Sequence, residues 1–400
     1  MSADAFLPYG RQTIEDDDIA AVAAVLRGDW LTTGPAVEAF ERALAQRTGA
    51  RHAVVCNSGT AALHLAMAAL DIGPGDAVIV PAITFLASAN AARYVGAEVV
   101  FADVDAATGL LRAEDVAAAL KRVGALRPRA VLPVHLGGHI ADLPAIAAAA
   151  PGLAVIEDAC HALGGAYARG AAEVPVGACA DSVAACFSFH PVKLIAMGEG
   201  GAVTTNDAAL ANRLARLRSH GMERDAGRWG DAELGFTDGA ANPWYYEMPE
   251  LGWNYRASDI NCALGLSQLS KLDRFLQRRR QLAAAYDRHL EPLAPIVRPV
   301  PRPAGQQGGW HLYGVAIDFA RAGVSRAELM RRLRATGIGT QVHYIPVHRQ
   351  PYYRRRYGAL ALPDADAYYA RCLSLPLYPA MTDADAARVA AALAAALHSA

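Results

Sequence analysis

Lysine is nearly missing from this chain: Lys121, Lys193 and Lys271 are its only three, so 35 of the 38 basic residues are arginine. An arginine cannot give up its proton, whereas a desolvated lysine becomes a nucleophile able to form a Schiff base with an aldehyde. A lysine kept in an apolar setting therefore draws attention. An excess of either charge is also missing. The formal net charge is -1 and no run of five or more like charges occurs, which speaks against a nucleic-acid or membrane-surface partner and for a small molecule. Paired cysteines are absent too. Cys56, Cys160, Cys179, Cys186, Cys262 and Cys372 are scattered without a CxxC pair, which reads as reduced core residues of a cytosolic protein, with no metal expected. Neither a leader nor a membrane span is expected. The start, MSADAFLPYGRQ, has neither a basic nor an apolar region, and the tail AARVAAALAAALHSA is too short and too weakly apolar to span a bilayer. A soluble, cytoplasmic protein is expected.

What is present is ample apolar material, 53% of 400 residues. That is enough for two domains, or for one large α/β unit with a smaller appendage. Residues 182–189 (SVAACFSF) alternate small, apolar and aromatic side chains like a buried strand, and Pro191 stops it. Lys193 then sits on a loop at a strand end, followed by Gly198-Glu199-Gly200-Gly201. It is either a reactive amine or a surface lysine lying along apolar neighbours.

Taken in order, the acids of Thr13 to Asp18 suit a helix N-terminus, with Ile19, Val22 and Val25-Leu26 on one stripe. The loop Trp30, Leu31, Thr32, Thr33 before Gly34-Pro35 is a turn packed by its tryptophan or a set of hydroxyls offered to a ligand. His52 to Cys56 reads as a strand, then Asn57-Ser58-Gly59-Thr60, then a helix. That order aims free backbone N–H groups at an anion such as phosphate, although a serine N-cap alone would look the same. Phe85, just past the strand Ala77–Val80, could cover a planar ring or pack in the core. Glu98–Val104 and Ala130–Val134 are strands buried on both faces, with helices between them, so the sheet should be mostly parallel.

The strand 153–158 ends in Glu157-Asp158, and His161 lies three residues on. Ligand groups gather at the carboxyl ends of strands in open α/β sheets. Asp158 is then placed to hold a cationic ring nitrogen, or to cap a helix; with Lys193 at another strand end the cofactor reading is the better one. Residues 222–247 lack any period and read as a lid or an interface arm. Helices follow at 258–269 and roughly 267–290. A tail of β-α-β-α character comes next, with a strand over 337–345. The expected division is 1–270 and 271–400.

SGTAAL (58–63), PAITF (81–85), IEDACHALGG (156–165), SFHPVK with GEGGAVTTND (188–207), GWNYRASDINCALGLSQLSKLD (252–273) and HYIPVH (343–348) together resemble the DegT/DnrJ/EryC1/StrS family. The resemblance covers nearly the whole chain in order and spacing. It implies the α/β fold type I of transferases dependent on pyridoxal 5'-phosphate (PLP), with a large domain, a small C-terminal domain and homodimers that share active sites. By the same resemblance Lys193 would carry PLP, Asp158 would hold its ring nitrogen, His161 would lie near the ring hydroxyl and Phe85 over a ring face. Gly59, Thr60 and Ser188 would bind the phosphate, joined by Asn254 reaching over from the neighbouring subunit. Substrate contacts would fall on Tyr9, on Trp30, Leu31, Thr32 and Thr33, and on Gln341, Val342, His343 and Tyr344. The implied activity is amino transfer from L-glutamate to a nucleotide sugar. PVHLGGH, LRSHGM and QVHYIPVHRQPYY are most like the branch that aminates a UDP-linked 4-keto-6-deoxy-N-acetylhexosamine in pseudaminic acid biosynthesis. A histidine in place of the lysine marks the dehydratase branch, and Lys193 argues against it. Transamination of another ketosugar, and a PLP-binding regulatory protein without turnover, stay open as alternatives.

Overall fold

Strands that read as unbroken apolar runs have to be covered on both faces, and that requirement sets the layers. The computed structural model describes residues 6–398. The first five residues and the last two, on which the readings of the leader and tail partly rest, lie outside it. Helices α1 (Asp16–Leu26) and α2 (Pro35–Thr48) lead to β1 (His52–Cys56) and α3 (Gly59–Ala69). Then β2 (Asp76–Pro81), α4 (Leu86–Tyr94), β3 (Glu98–Ala102), α5 (Ala113–Leu120), β4 (Arg127–Val131), α6 (Leu143–Ala149) and β5 (Ala154–Asp158) alternate. A hairpin of β6 (Ala166–Arg169) and β7 (Ala172–Pro175) precedes β8 (Ala184–Ser188), β9 (Gly201–Thr205) and α7 (Ala208–Leu217).

These strands build a seven-stranded sheet in the order β1-β9-β8-β5-β4-β2-β3. Pairs from β8 to β3 are parallel, and β9 alone runs antiparallel to both neighbours. Alternate side chains of one strand enter different cores, as strand geometry demands. Val78 and Val80 pack with Ala62 and Leu65, while Ala77 and Ile79 pack with Val116 and Val131. The carboxyl ends of β5 and β8, neighbours in the sheet, therefore open at the same edge.

Four expectations need correction. The stripe on α1 does not turn inward: Ile19 and Leu26 are 60% and 57% exposed, and Asp18 is the buried residue. Its carboxylate is held by Ser267, Gln268 and Lys271, and that polar lock outweighs the apolar stripe. The 222–247 segment, read as without period, carries a 3-10 turn at Ala226–Arg228, the helical turn α8 (Ala232–Gly235) and a short hairpin of β10 (Phe236–Thr237) and β11 (Ala240–Ala241). The helices expected to run together are separate, α9 (Asp259–Ser270) and α10 (Leu272–Leu290), with Lys271 at the break. The strand expected over 337–345 is reduced to isolated bridges, Leu7 with Ile338 and Gln341 with Ser374.

Beyond α10, β12 (Val297–Pro299) joins a three-stranded antiparallel sheet, and β13 (Gln306–Gln307) pairs with β6. The sheet is completed by β14 (Tyr313–Ile317) and β15 (Cys372–Leu375). Around it Tyr286, Val315, Leu329 and Leu393 form a core that also takes Leu7 from near the chain start. Tyr353, Leu362 and Tyr368 return to the core under the large sheet. We propose the division between the two units at the Lys271 break.

Candidate active site

The edge where β5 and β8 end is hollowed into a cleft of about 570 Å³. At its floor, Asp158 is the last residue of β5 and 6% exposed. Ser88 Oγ donates to its Oδ2 at 2.6 Å, the Cys160 N–H donates to Oδ1 at 3.2 Å, and Thr84 Oγ1 lies 2.6 Å from Ser88 Oγ. No helix begins between β5 and β6, so the capping alternative falls. The carboxylate is oriented and still faces the cavity.

Lys193 follows β8 on a turn closed by its own N–H to the His190 carbonyl at 2.8 Å. Its side chain enters the same cleft. Burial lowers the pKa of the amine below its ordinary value, with Cys160 and Asp158 acting the other way. The surface-lysine reading is set aside, because the side chain lines the cleft and burial makes its amine easier to deprotonate.

Opposite lies the N-terminus of α3. Ser58 caps it, accepting from the Ala61 N–H at 3.1 Å. The simple capping reading is thus correct as far as it goes, yet Gly59 and Thr60 of the first turn also line the cleft. A Cβ added at Gly59 would come within 2.7 Å of Ser188 Cβ and 3.1 Å of its Oγ, so only glycine lets the helix end sit this close to β8. First-turn N–H groups and the helix dipole there suit an anion of phosphate size.

Phe85 stands just before α4, is 54% exposed, and its ring centre lies 6.0 Å from that of Tyr344. It is a wall of the cleft and not a core residue. His161 Nδ1 accepts from the Gly137 N–H at 3.2 Å, and its Nε2 is 3.3 Å from the Tyr344 hydroxyl. Burial drives its pKa well below the ordinary imidazole value, and Lys193, His343 and His135 add to that. His343, bonded at Nδ1 to Ser374 Oγ at 2.8 Å, is lowered to about 3 by burial, with Lys193 adding to that. Tyr9, Gln341 and Val342 complete the side of the cleft formed by the chain start and the C-terminal unit.

Two predicted groups are not brought there. Asn254 is exposed and lies outside the cleft of its own chain. Its neighbours Trp253 and Tyr255 stack with ring centres 5.8 Å apart, and Trp253 and His64 lie at 4.4 Å, so Asn254 is turned the other way. The Trp30–Thr33 loop also lies apart, with Trp30 and Leu31 59% and 48% exposed. It is fastened to α9 by the carboxylate of Asp259, which accepts from the Gly34 and Ala36 N–H groups at 2.8 and 2.9 Å. Sequence reading missed Ser88, Thr84 and Glu199, and treated Cys160 as packing although it lines the cleft. Thr84 and Ser88 stand four apart at a helix start, a spacing that would have signalled a hydroxyl pair on one face.

The geometry has counterparts among known proteins. The sequence pattern of the DegT/DnrJ/EryC1/StrS aminotransferase family matches residues 12–394. The chain belongs to this family. It is 41% identical over 387 residues to the spore coat polysaccharide biosynthesis protein SpsC of Bacillus subtilis (strain 168), covering 95% of this chain and 94% of that one. Among solved structures, PseC of Helicobacter pylori, an aminotransferase involved in the biosynthesis of pseudoaminic acid, superposes with a TM-score of 0.86 at 28% identity, over 98% and 100% of the two chains. Spr1654 of Streptococcus pneumoniae, described as a putative sugar aminotransferase and solved in its PLP form, superposes with a TM-score of 0.84 at 26% identity, over 98% of each chain.

As a DegT/DnrJ/EryC1/StrS protein, the chain is a sugar aminotransferase of PLP fold type I, and PLP is its cofactor. The residues present fit that cofactor. The glycine-lined helix end suits its phosphate, Asp158 its ring nitrogen and the lowered amine of Lys193 its aldehyde. No helix among the described residues is long and apolar enough to cross a membrane.

Proposed function

We propose that this enzyme moves an amino group from L-glutamate to C4 of a UDP-linked 4-keto-6-deoxy-N-acetylhexosamine, in the cytoplasm, as a homodimer that supplies a pseudaminic-acid-type sugar. The observation that carries the amino transfer is the pairing, in one cleft, of a lysine with a lowered pKa and an oriented aspartate. The choice of sugar is supported by the whole-chain likeness to PseC.

PLP, when bound, supplies an aldehyde that takes up amino groups and a ring that accepts electrons. The chain's own residues do the rest. Lys193, neutral in part because it is desolvated, removes a proton from the donor's α-carbon and returns one where the reaction requires it. Asp158 keeps a positive charge at the ring nitrogen, and the Thr84–Ser88 pair keeps Asp158 aimed. Gly59, Thr60 and Ser188 hold the phosphate with Asn254 of the partner subunit, while Phe85 shields one ring face and His161 stands near the ring hydroxyl. Tyr9 and Gln341 to Tyr344 contact the sugar nucleotide, and Trp30 to Thr33 do so from across the dimer interface.

A second reading, the same transfer onto a different ketosugar, is favoured by the 41% identity to a spore coat polysaccharide protein. Supplying glutamate with a panel of 4-keto and 3-keto nucleotide sugars, and solving the product's configuration by NMR, separates the two. Amination of only a GDP- or dTDP-linked sugar would overturn the first. Failure of glutamate to convert the bound coenzyme at all would instead point to a regulatory protein.

A further inference from the structure

A neutral imidazole carries one hydrogen, and the partner of one nitrogen decides the role of the other. At His161 the main chain makes that decision. The Gly137 N–H points at Nδ1 from 3.2 Å, so Nδ1 accepts and the hydrogen sits on Nε2. Nε2 faces the Tyr344 hydroxyl at 3.3 Å, which must then accept. A hydroxyl that accepts on one side keeps its own hydrogen for another partner, and Tyr344 borders the cleft that holds Lys193.

The turn that presents this N–H is held firmly. Gly137 has φ 67°, a left-handed backbone suited to glycine, and its carbonyl accepts from Leu312 at 3.0 Å. Gly138 accepts from Gly309 at 2.9 Å, and a Cβ there would meet the Trp310 nitrogen at 2.5 Å. Arg279, itself buried, donates to the Trp310 and His311 carbonyls at 3.3 and 3.2 Å. The His311 ring in turn lies 4.4 Å from that of His161. The same loop treats His135 alike: its Nδ1 accepts from the Ala141 N–H at 3.2 Å, and its Nε2 meets Glu157 at 3.1 Å.

We propose that the Leu136–Gly138 turn is a tautomer lock. It holds His161 as the Nε2–H imidazole, and His161 holds Tyr344 so that the hydroxyl donates into the cleft, to the carbonyl oxygen of the amino acceptor. Gly137 and His161 are thus positioning residues for Tyr344, and the last contact rests on the amino-transfer reading given above. Burial keeps His161 and His311 well below the ordinary imidazole value, with Arg279 adding to that at His311, in keeping with this arrangement.

Nitrogen-15 NMR of the full-length, PLP-loaded protein labelled at histidine reads the tautomer directly, with His161→Gln identifying the signal. The expected result is a pyridine-type Nδ1 and a pyrrole-type Nε2 that persist through the ordinary imidazole range. An Nδ1–H form, or an imidazolium at neutral pH, would overturn the proposal. In the second arm Tyr344→Phe retains PLP affinity and loses about a hundredfold in kcat with little change in the acceptor's KM, the size expected for one donor at a reacting oxygen. His161→Asn, which keeps an acceptor for Gly137 but has no donor towards Tyr344, falls with it; His161→Gln, whose amide N–H reaches the place of Nε2–H, loses about tenfold less. Equal losses in the two histidine variants, or full kcat in Tyr344→Phe, would sink the lock. If the unmodified enzyme aminated no ketosugar, the proposed function would fail, and the NMR arm would still decide the tautomer.

Discussion

Lys193 combines two properties that arginine cannot supply together: an amine that burial makes easier to deprotonate, and a reach into the cleft beside Asp158. Lys193→Ala should remove the absorbance of bound PLP and all turnover, as measured by spectroscopy and a glutamate half-reaction. Lys193→Arg should fail as completely, since a guanidinium stays protonated; activity in either variant would show that the proton is handled elsewhere. Gly59 makes a second residue-scale test. In Gly59→Ala the new methyl meets Ser188, and overpacking of ~1–3 kcal/mol should weaken PLP binding about ten- to a hundredfold with the fold intact. Equilibrium titration with PLP reads that loss.

At the scale of elements, the N-terminus of α1 is pinned to the α9–α10 break by a cluster of charges. Lys271 Nζ lies 2.5 Å from Asp17, 2.9 Å from Asp18 and 3.3 Å from Glu15. Burial pushes the Asp18 carboxyl up, yet hydrogen bonds from Ser267, Lys271 and Gln268 outweigh it and hold the pKa below its ordinary value. Lys271→Met strips the cation from a fully buried carboxylate and should cost about 3–5 kcal/mol in urea denaturation, with Asp18→Asn recovering part of the loss. A second clasp joins β3 to the helix Pro351–Tyr357. Arg356 and the Tyr357 hydroxyl both bind Glu98, and the pairing with Arg356, against burial, lowers its pKa from 4.5 to about 2. A carboxyl depressed on folding stabilises above its unfolded value and loses that contribution as pH falls through the folded one. The stability difference between the unmodified protein and Glu98→Gln should therefore be full above about pH 4.5 and vanish towards about pH 2; a difference independent of pH would exclude the ion pair as its source.

For the whole molecule, the placement of Asn254 and the Trp30–Thr33 loop outside their own cleft is the central fact. The arm before Asn254 is apolar and open, with Trp244 and Leu251 72% and 77% exposed. Single side chains of this kind are ordinary, but a series along one segment is what the proposed homodimer would cover. On the dimer reading, Lys193→Ala and Asn254→Ala are each impaired alone, and co-expressed they regain activity because the mixed dimer holds one complete site. Leu251→Asp should yield monomers by light scattering and lower PLP affinity at the same time. Monomers with undiminished affinity would place Asn254 outside the phosphate site.

The motifs and the mostly parallel character of the sheet were legible because glycine, proline and unbroken apolar runs act locally, through backbone conformation and burial on two faces. That Asp158 and Lys193 share one cleft was legible because both stand at strand ends, where open α/β sheets place ligands. The hydroxyls behind Asp158, the backbone amide that fixes His161 and the outward face of α1 were not. Each depends on groups brought together from distant parts of the chain, such as Ser88 with Asp158, Gly137 with His161, and Asp18 with Lys271. Residue types and spacing determined which chemistry the chain carries. Packing between its units decided which partner each group meets, because hydrogen bonds and desolvation act over a few ångströms in space and not along the sequence.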